Sequence, residues 1–443
     1  MRNSIKRISA IVIAVIMLLL VVGCAPTSNQ SNSDYDYDPN APVELSGTFE
    51  LQIFTGGYGS EVWEAIIADF EEAYPQLDVV AYLDSNVNKQ MQSRWIQGNP
   101  PDFVFLSGSN IPILTYMEEG KLLDLTSFYD QATIYGTDKT LKSNLKSDMI
   151  STYNGATYSL PILMSAYGMW YDQVYMDANG MNMPTNFDEF KTFVQTAKDK
   201  GLDSIIYPGT SSHYLTRALI FTALASYGQE YFDAITSAES VDPYKDARFL
   251  DVMKRFEEIA DMGAYSEGTV SLNHTQSQIQ WLNHKALLIP NGLWLENEMK
   301  NDIPEGFQMR YNPGMMQNAD QEQAIVVTTS NIGVASDGDN KEAALEFIRF
   351  MYQDKYMKMW AQVSGAPVAT NVDLSDTELS ESAIYAQSVM TDEKYMIVHE
   401  QLLWGSVDAV FHDCVNQIVL GDMTAQQAVD TIIAAVEKKI AGL

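Results

Sequence analysis

Cysteine and basic side chains are both scarce in this sequence. Its 443 residues include two cysteines, Cys24 and Cys414, so a framework of disulfide bonds is excluded. Lysine and arginine together number 27 against 58 aspartates and glutamates, which gives a formal net charge of −31 at pH 7. A chain this acidic repels nucleic acids and anionic membrane surfaces. The charge therefore predicts no nucleic-acid partner and favours a neutral ligand, although a local basic site stays open.

Motifs for catalysis and for metal binding are also missing. The five histidines form neither an H-E-x-x-H pair nor a Cys/His zinc pattern, and the sequence has no G-x-S-x-G turn and no P-loop. The run Gly56-Gly57-Tyr58-Gly59 lacks the spacing of a dinucleotide-binding motif. These absences predict a protein without metal, cofactor or catalytic residues. A glycosidase pair among the 58 carboxylates stays open, because such pairs are defined by their separation in space.

One long apolar run occurs, and it lies near the start of the chain. Residues 8–22 are apolar except for Ser9, and three basic residues precede them. The run is shorter than the roughly 20 residues of a transmembrane helix and has the length of a signal-peptide core. It ends at Gly23-Cys24, which resembles a lipobox. Residues 1–23 are thus predicted to be a lipoprotein signal peptide, with an uncleaved anchor as the alternative.

The segment that follows has no aliphatic side chain larger than alanine or proline. Residues 25–42 consist mainly of Ser, Asn, Asp, Tyr and Pro, which cannot bury a core. We therefore predict that residues 24–43 form the lipidated Cys24 and a flexible tether. The acyl chains on Cys24 would hold the folded part of the chain at the membrane. Either reading of the leader places that folded part outside the cytoplasm.

Strand and helix patterns alternate at the start of the folded part. Phe49, Leu51 and Ile53 alternate with polar residues, and an amphipathic helix follows with Ser60 as its predicted N-cap. Further strands are predicted at 77–83 and 102–106, with a helix at 89–96 between them. This alternation predicts an α/β domain with a largely parallel sheet.

The later part of the chain has a more helical pattern. A helix is predicted to begin at Thr185 or Asn186 and to end at Gly201, and the last helix begins at Thr424 with Gln427 completing a capping box. The other predicted elements are strands at 286–289, 325–328 and 332–335 and a helix at 340–352. Two α/β lobes without a flexible linker between them suggest an interlobe cleft.

Ligands of open α/β sheets bind at the carboxyl ends of the strands. That rule points to two loops, one after the first strand and one after the third. The first loop offers Gly57 and Tyr58, and the second offers Ser109 and Asn110. Glycine lets a backbone approach a ligand, and short polar side chains can bond hydroxyl groups. We predict all four as ligand-binding residues.

Seven blocks of the mature chain carry a family likeness. In chain order they are Gly98–Val104, Glu119–Leu125, Tyr158–Pro161 with Trp170–Asp172, Pro184–Phe190, Lys285–Trp294, Lys341–Ile348 and Gly365–Pro367. They resemble G-x-x-P-D-V-V, G-x-L-x-D-L, Y-x-L-P followed by W-Y-N, P-x-T-W-D-E-F, G-x-A-A-M-x-x-x-G-x-W, K-E-A-A-W-E-F-I and G-x-P. On these blocks the chain resembles the extracellular solute-binding proteins of carbohydrate ABC importers, family 1. Asp172 departs from the usual Asn, and Val368-Ala369 stand where many members carry Arg.

The resemblance implies a fold and a hinge. It implies two α/β lobes of the periplasmic-binding-protein type, joined by hinge crossovers, which close over a ligand in the cleft between them. Mapped onto this chain, the N-terminal lobe is 44–157 plus 305–336. The C-terminal lobe is 158–304 plus 337–443. The segment 289–299 is also similar to one found in binding proteins for N-acetylglucosamine and diacetylchitobiose.

Sugars present apolar C–H faces and hydroxyl edges, so a sugar site needs aromatic plates and fixed polar groups. Trp294 stands in the family block that faces the cleft, two residues after Gly292. The predicted ligand-binding residues are Trp294 itself, Tyr167, His213, Gly292, Glu296 and Trp404. Tyr207 and Tyr214 belong to a polar and aromatic loop that could line the second lobe. Trp170 is expected in the core.

The sequence therefore predicts a lipid-anchored, extracytoplasmic and monomeric substrate-binding component of an ABC importer. It would capture a mono- or oligosaccharide, with N-acetylglucosamine or chitobiose as candidates, and deliver it to a membrane permease. Two alternatives stay open: a secreted carbohydrate-active enzyme with a carboxylate pair, and the same receptor fold binding a peptide, polyol or phosphate ester. A phosphate ligand needs a local Arg or Lys cluster, and these residues are scarce near the segments named above.

Overall fold

The computed structural model describes residues 44–108, 111–400 and 405–442. The sequence predictions that lie outside these ranges are the signal peptide, the lipidated Cys24 with its tether, Ser109, Asn110 and Trp404. Within the described part of the chain, no helix is both long and apolar enough to cross a membrane.

Eight strands form one mixed sheet in the described residues. They are β1 (Gly47–Phe54), β2 (Leu77–Asp84), β3 (Phe103–Leu106), β4 (Leu160–Asp172), β5 (Leu288–Gly292), β6 (Met309–Asn312), β7 (Ala324–Val334) and β8 (Met396–His399). The strand order is β2-β1-β3-β7-β4-β5, while β6 pairs with β4 and β8 pairs with β7.

The first three strands form the predicted parallel unit. β1 pairs in parallel with β2 along its whole length and with β3 on its other side. All four residues of β3 are buried, as expected for a continuous apolar run that is covered on both faces. The prediction for this part of the chain is confirmed.

The sheet as a whole is mixed, so the prediction of a largely parallel sheet holds for its first three strands and does not extend to its centre. β7 runs antiparallel to both β3 and β4, and β4 runs antiparallel to β5 and β6. Strand and helix alternation informs only about strands that are neighbours along the chain. β7 arrives far downstream of both β3 and β4, so the sequence pattern could not set its direction.

The long strands β4 and β7 lie side by side at the centre of the sheet. The sequence predicted two strands, 325–328 and 332–335, with a break at the polar residues between them. The structure has one strand there, because Thr329, Ser330 and Asn331 stay paired with β4. One end of β7 pairs with β8 and the other with β3, so a single strand crosses from one set of partners to another.

Helices cover the sheet and fill most of the remaining chain. The α-helices are α1 (Glu61–Ala73), α2 (Val87–Gln97), α3 (Ile113–Glu118), α4 (Thr126–Gln131), α5 (Leu141–Asn144), α6 (Gln173–Ala178), α7 (Phe187–Asp199), α8 (His213–Leu215), α9 (Thr222–Ala225), α10 (Gln229–Thr236), α11 (Asp242–Lys245), α12 (Ala247–Asp261), α13 (His274–Leu282), α14 (Leu295–Met299), α15 (Lys341–Met351), α16 (Asp354–Ser364), α17 (Glu381–Met390), α18 (Val407–Leu420) and α19 (Ala425–Ile440). The π-helix Thr216–Phe221 connects α8 to α9. Single 3-10 turns lie at Ser147–Met149, Gly209–Ser211 and Thr269–Ser271.

Two of three predicted helix caps are confirmed. Asn186 caps α7, and Thr424 and Gln427 form the full capping box of α19. Ser60 precedes α1 but its side chain makes no capping bond. An N-cap residue normally has an extended backbone, whereas Ser60 has φ −109° and ψ −14°.

The helix α15 packs on the first strands of the chain. The Phe347 ring lies 5.6 Å from that of Phe49 and 5.1 Å from that of Phe70. Lys355 of α16 also bonds Asp69 of α1. The sequence-based ranges placed 337–443 in the C-terminal lobe. These contacts instead join α15 and α16 to β1 and α1, which the same ranges place in the N-terminal lobe. The lobe boundaries stay a prediction, and we propose that residues 341–364 belong with the N-terminal lobe.

Cys414, the one cysteine among the described residues, is a buried, free thiol. Cys414 of α18 is 1% exposed, and burial raises the pKa of its thiol to about 11. A thiol with a raised pKa is a poor nucleophile at neutral pH. Cys414 is therefore a core residue and not a reactive site.

Candidate functional site

An indole ring lies at the centre of the candidate site. Trp294 lies two residues after the end of β5, as the N-cap residue of α14. A Cβ atom at Gly57 would lie 2.5 Å from Cδ1 of this indole, and one at Gly292 would lie 2.3 Å from its Cη2. Carbon atoms in normal contact are about 3.5–4.0 Å apart. Both glycines therefore leave the space that the Trp294 ring occupies.

Three tyrosines surround this indole edge-on. The ring centroids of Tyr167, Tyr58 and Tyr214 lie 5.3, 5.8 and 6.1 Å from that of Trp294. Tyr58 comes from the loop between β1 and α1, and Tyr167 comes from β4. Edge-to-face geometry of this kind is a favourable arrangement for aromatic rings. We call Tyr58, Tyr167, Tyr214 and Trp294 the aromatic cluster.

Burial keeps the phenols of the cluster protonated. It raises the pKa of Tyr167 to about 12 and the pKa of Tyr214 well above its usual value. The pKa of Tyr58 is raised as well, again mainly by burial. Each phenol can therefore both donate and accept a hydrogen bond at any physiological pH.

Two histidines extend the cluster. The His213 ring lies 4.3 Å from Tyr214, and burial lowers the pKa of His213 well below its usual value, with the Arg217 charge adding to that effect. The His274 ring stacks on Tyr214 at 4.8 Å, and its Nε2 lies 2.7 Å from Oε2 of Glu298. His213 is thus neutral near neutral pH and offers one donor and one acceptor.

A buried ion pair packs against the Tyr167 ring. Nε and Nη2 of Arg217 donate to the two oxygens of Glu400 at 3.0 and 2.9 Å. The side chains are 8% and 0% exposed, respectively. The Arg217 guanidinium also lies 5.6 Å from the Tyr167 ring centre, within range of a cation–π interaction. Arg217 belongs to the π-helix, an irregularity that is frequent at functional sites.

The ion pair continues into a small network. Oδ1 of Asp408 lies 3.7 Å from Nη2 of Arg217 and 3.1 Å from Nε2 of His412. Burial raises the pKa of Glu400, with Arg217 opposing the shift. Burial also disfavours the charged form of Asp408, but Arg217, His412 and His213 together outweigh it, and the pKa of Asp408 is lowered. The positive charge of Arg217 is therefore fully balanced within the protein.

A narrow cavity adjoins this network. Its wall includes residues of α3, of the segment before β4 and of the centre of β7: Ile113, Met117, Ser151, Thr152, Tyr153, Tyr158, Ser159, Thr329, Asn331 and Glu400. The cavity and the aromatic cluster are linked by the Arg217–Glu400 pair, since Glu400 lines the cavity and Arg217 lies against the Tyr167 ring.

A larger surface cavity of about 490 Å³ lies elsewhere, between the loop after α7 and the end of α13. It shares no residue with the aromatic cluster, and Tyr175 is the one phenol in its lining. In the described residues, no group of three or more His, Cys, Asp or Glu side chains is arranged to hold a metal ion.

The structure brings six of the predicted site residues together: Gly57, Tyr58, Tyr167, His213, Gly292 and Trp294. Glu296 is different, because its Oε2 accepts a hydrogen bond from the Ser380 hydroxyl at 2.5 Å. Tyr207 is a core residue whose hydroxyl donates to Asn416, and so does not line the site. Trp170 is buried at 1% exposure, as expected. The binding roles of the six stay a prediction.

Sequence analysis missed Arg217, Glu400 and the support that His274 gives to Tyr214. Arg217 had a usable signal, since it is the one charged residue in the otherwise apolar run 214–225. A charge in such a run needs a buried partner of opposite sign. Glu400 had no such signal, because its partner lies 183 residues away.

The fold and the site define a solute-binding protein of the two-lobed kind. Residues 56–358 match the family model of the bacterial extracellular solute-binding proteins. The match covers more than half of the chain, so this protein belongs to that family. It is an extracytoplasmic protein that works with an ABC transporter.

Curated relatives share most of their length with this chain. It is 25% identical over 408 residues to the diacetylchitobiose binding protein NgcE of Streptomyces coelicolor, covering 88% of this chain and 85% of the relative. It is 21% identical over 365 residues to the multiple sugar-binding protein of Streptococcus mutans, covering 80% and 82%.

Solved structures confirm the fold. A chitin oligosaccharide binding protein superposes with a TM-score of 0.72 at 18% identity, covering 90% of this chain and 100% of that one. The solute-binding protein RafE in complex with raffinose superposes with a TM-score of 0.70 at 18% identity, covering 89% and 99%. At this identity the likeness establishes the two-lobed α/β architecture alone.

Proposed function

We propose that this protein captures a neutral mono- or oligosaccharide outside the cell and delivers it to the permease of an ABC importer. The observation that carries the proposal is the aromatic cluster, in which three protonated tyrosines surround Trp294. Indole and phenol rings pack against the C–H faces of a sugar, and phenol hydroxyls bond its edges. The relatives named above are sugar-binding proteins, which supports the same ligand class.

Charge also supports a neutral ligand. Arg217 lies 5.6 Å from the Tyr167 ring centre, and its guanidinium already donates to both oxygens of Glu400. A phosphate ester would need an unpaired Arg or Lys fork in the site. The receptor with a phosphate ligand is therefore the weaker alternative.

Among sugars, N-acetylglucosamine and its short β-linked oligomers are our first candidates. The segment 289–299 resembles binding proteins for these sugars, and the relative from Streptomyces coelicolor is a diacetylchitobiose binding protein. A chitin oligosaccharide binding protein is among the structural neighbours. An acetamido group offers one donor and one acceptor, which suits the neutral His213 and the phenols.

A transport receptor explains the carboxylates near Trp294 better than an enzyme does. Glu296 bonds Ser380, and Glu298 accepts from Gln278 at 2.6 Å and lies next to His274. A glycosidase pair needs two carboxyl groups that face the ligand from opposite sides. We propose that neither residue is catalytic and that the protein releases its sugar unchanged.

The lipid anchor and the oligomeric state are further parts of the proposal. Gly23-Cys24 after a short apolar run supports lipidation of Cys24, with residues 24–43 as the tether. We propose that the protein acts as a monomer on the outer side of the cell membrane. Mass spectrometry of Cys24 peptides from native membranes would test the anchor.

Thermal unfolding with a panel of sugars tests the ligand class. A ligand at 100 times its dissociation constant stabilises the folded state by about 2.7 kcal/mol, which raises the midpoint by a few degrees. We expect a selective shift with one sugar class, recovered intact, that is lost in Trp294→Ala and kept in Tyr175→Ala, whose aromatic ring lies outside the cluster. A shift with peptides or polyols and none with sugars would contradict the proposal.

A further inference from the structure

A side-chain hydrogen bond joins two distant parts of the sheet. Nδ2 of Asn297 donates to the carbonyl oxygen of Gly57 at 2.7 Å, across 240 residues of sequence. Gly57 lies in the loop after β1, and Asn297 lies in α14, which follows β5. In the sheet, β3, β7 and β4 separate β1 from β5. The bond therefore bridges parts of the molecule that share no strand pairing.

The same loop is seated on the indole ring. Gly57 approaches Trp294 so closely that a Cβ atom there would lie 2.5 Å from Cδ1. Tyr58, the next residue, packs edge-on against the same ring at 5.8 Å. Three contacts thus hold this loop against α14 and its N-cap residue Trp294: a hydrogen bond, a backbone-to-indole contact and an aromatic pair.

We infer that Asn297 is a positioning residue that latches the loop after β1 over Trp294 and so slows the release of bound solute. This inference rests on the proposed function only in taking a sugar as the bound solute. By the lobe ranges predicted above, Gly57 lies in the N-terminal lobe and Asn297 in the C-terminal lobe. The bond therefore favours the closed arrangement, in which the lobes are together, whether or not a ligand is present. A ligand that binds the closed arrangement then gains apparent affinity in proportion to the closed population.

The chemistry of the amide explains why this position takes asparagine. A backbone carbonyl only accepts hydrogen bonds, so its partner must donate. Aspartate has nearly the same shape but would present a second acceptor to Gly57. It would also add a negative charge between Glu296 and Glu298. Alanine removes the bond, whereas aspartate replaces it with repulsion.

A direct measurement of closure tests the latch without any ligand. Ile96 of α2 and Leu420 of α18 are 73% and 57% exposed and suit a donor and acceptor dye on introduced cysteines. Cys414 is buried, and Cys24 is changed to Ser in the full chain, so only the introduced thiols react. Energy transfer between single pairs of dyes then reports the ratio of closed to open molecules.

In the ligand-free protein we expect Asn297→Ala to lower the closed-to-open ratio by about two- to tenfold, as for the loss of one hydrogen bond. Asn297→Asp should lower it further. Gly57→Ala should also lower it, because its methyl group collides with Trp294. The matched control is Asn301→Ala, an exposed asparagine four residues along the chain, which should leave the ratio unchanged.

Stopped-flow release of N,N′-diacetylchitobiose supplies the second measurement. We expect Asn297→Ala to raise the release rate about two- to tenfold and to leave the association rate within twofold of the control. If the closed ratio falls as expected but no sugar binds, the latch stands and the proposed ligand is wrong. If sugar binds and Asn297→Ala matches Asn301→Ala in both ratio and release rate, the latch is overturned. A variant that only lowers the unfolding midpoint, with the ratio unchanged, also overturns it.

Discussion

At the scale of single residues, the candidate site depends on what two positions lack. Gly57 and Gly292 approach opposite ends of the Trp294 indole, and neither needs a positive φ. Both glycines are therefore needed because they lack a side chain, which leaves room for an aromatic ring between two stretches of backbone. Trp294, the flanking Gly292 and the loop residue Gly57 form one unit, although they come from different parts of the chain.

Adding one methyl group at Gly292 should disturb this unit. We expect Gly292→Ala to lower the free energy of unfolding by about 1–3 kcal/mol, as for other overpacked sites, and to weaken sugar binding at least tenfold. The double variant Gly292→Ala with Trp294→Phe should recover part of the stability, because the smaller ring makes room. Urea unfolding and titration calorimetry measure the two effects.

The control is Gly333→Ala in β7. There a Cβ atom would lie 3.1 Å from Cδ1 of Leu106, a side-chain end that can move, and 3.3 Å from the backbone oxygen of Tyr158, both farther than the 2.3 Å contact at Gly292. We expect a smaller loss of stability and unchanged binding at this position. Equal losses at Gly292 and Gly333 would show that the Trp294 contact has no special role.

Residues also show where sequence reasoning succeeded and where it could not. Trp294 and the two glycines were predictable, since they stand in a family block and in a strand-end loop. Glu400 was not, because its role depends on Arg217, which lies far away in sequence. Predicting such a pair requires knowing which helix packs on which strand.

At the scale of secondary-structure elements, the Arg217–Glu400 pair fastens the π-helix to the end of β8. Arg217 stands in the π-helix, and Glu400 is the residue that follows β8. Both side chains are almost fully buried, at 8% and 0% exposed. The pair also holds Arg217 against the Tyr167 ring, so the aromatic cluster depends on it.

Replacing one partner of this pair should lower the free energy of unfolding far more than replacing both partners. We expect Arg217→Met to lower the free energy of unfolding by about 3–5 kcal/mol, since it leaves the Glu400 carboxylate buried and unpaired. The double variant Arg217→Met with Glu400→Met should recover most of that loss. Guanidinium unfolding measures both variants. A double variant no more stable than Arg217→Met alone would contradict this account of the pair.

Most elements were predictable from local patterns, and the errors share one cause. The strands β1 to β3 and the caps of α7 and α19 follow from periodicity and short-range chemistry. The single strand β7 and the antiparallel centre of the sheet do not, because pairing with β4 overrides the polar residues at 329–331. The packing of α15 on β1 is a contact of the same long-range kind.

At the scale of the whole molecule, buried ionisable groups set the response to acid. His213 is held neutral by burial, and it is faced by Arg217, His412, Asp408 and His274. Its folded-state pKa lies well below 6.5, the value for an exposed histidine. The unfolded chain therefore binds a proton at this position before the folded chain does, so stability falls as pH falls below 6.5.

Replacing His213 should weaken this dependence. Below pH 6.5, one such proton contributes a slope of up to about 1.4 kcal/mol per pH unit to the free energy of unfolding. We expect His213→Asn to flatten the curve between pH 6.5 and 5 relative to the parent chain. The control is His284→Asn, which lies outside the cluster. Parallel curves for the parent and His213→Asn would contradict the buried, neutral state of His213.

The long reach of β7 also has a consequence for how the chain is made. β3 pairs with β1 on one side and with Ile332, Gly333 and Val334 on the other. A ribosome completes β3 long before it reaches those residues, so one edge of the early sheet stays without a partner during most of translation. Contacts this distant in sequence form slowly. The nascent chain thus has an extended interval in which it can be threaded through a secretion channel before its tertiary structure locks.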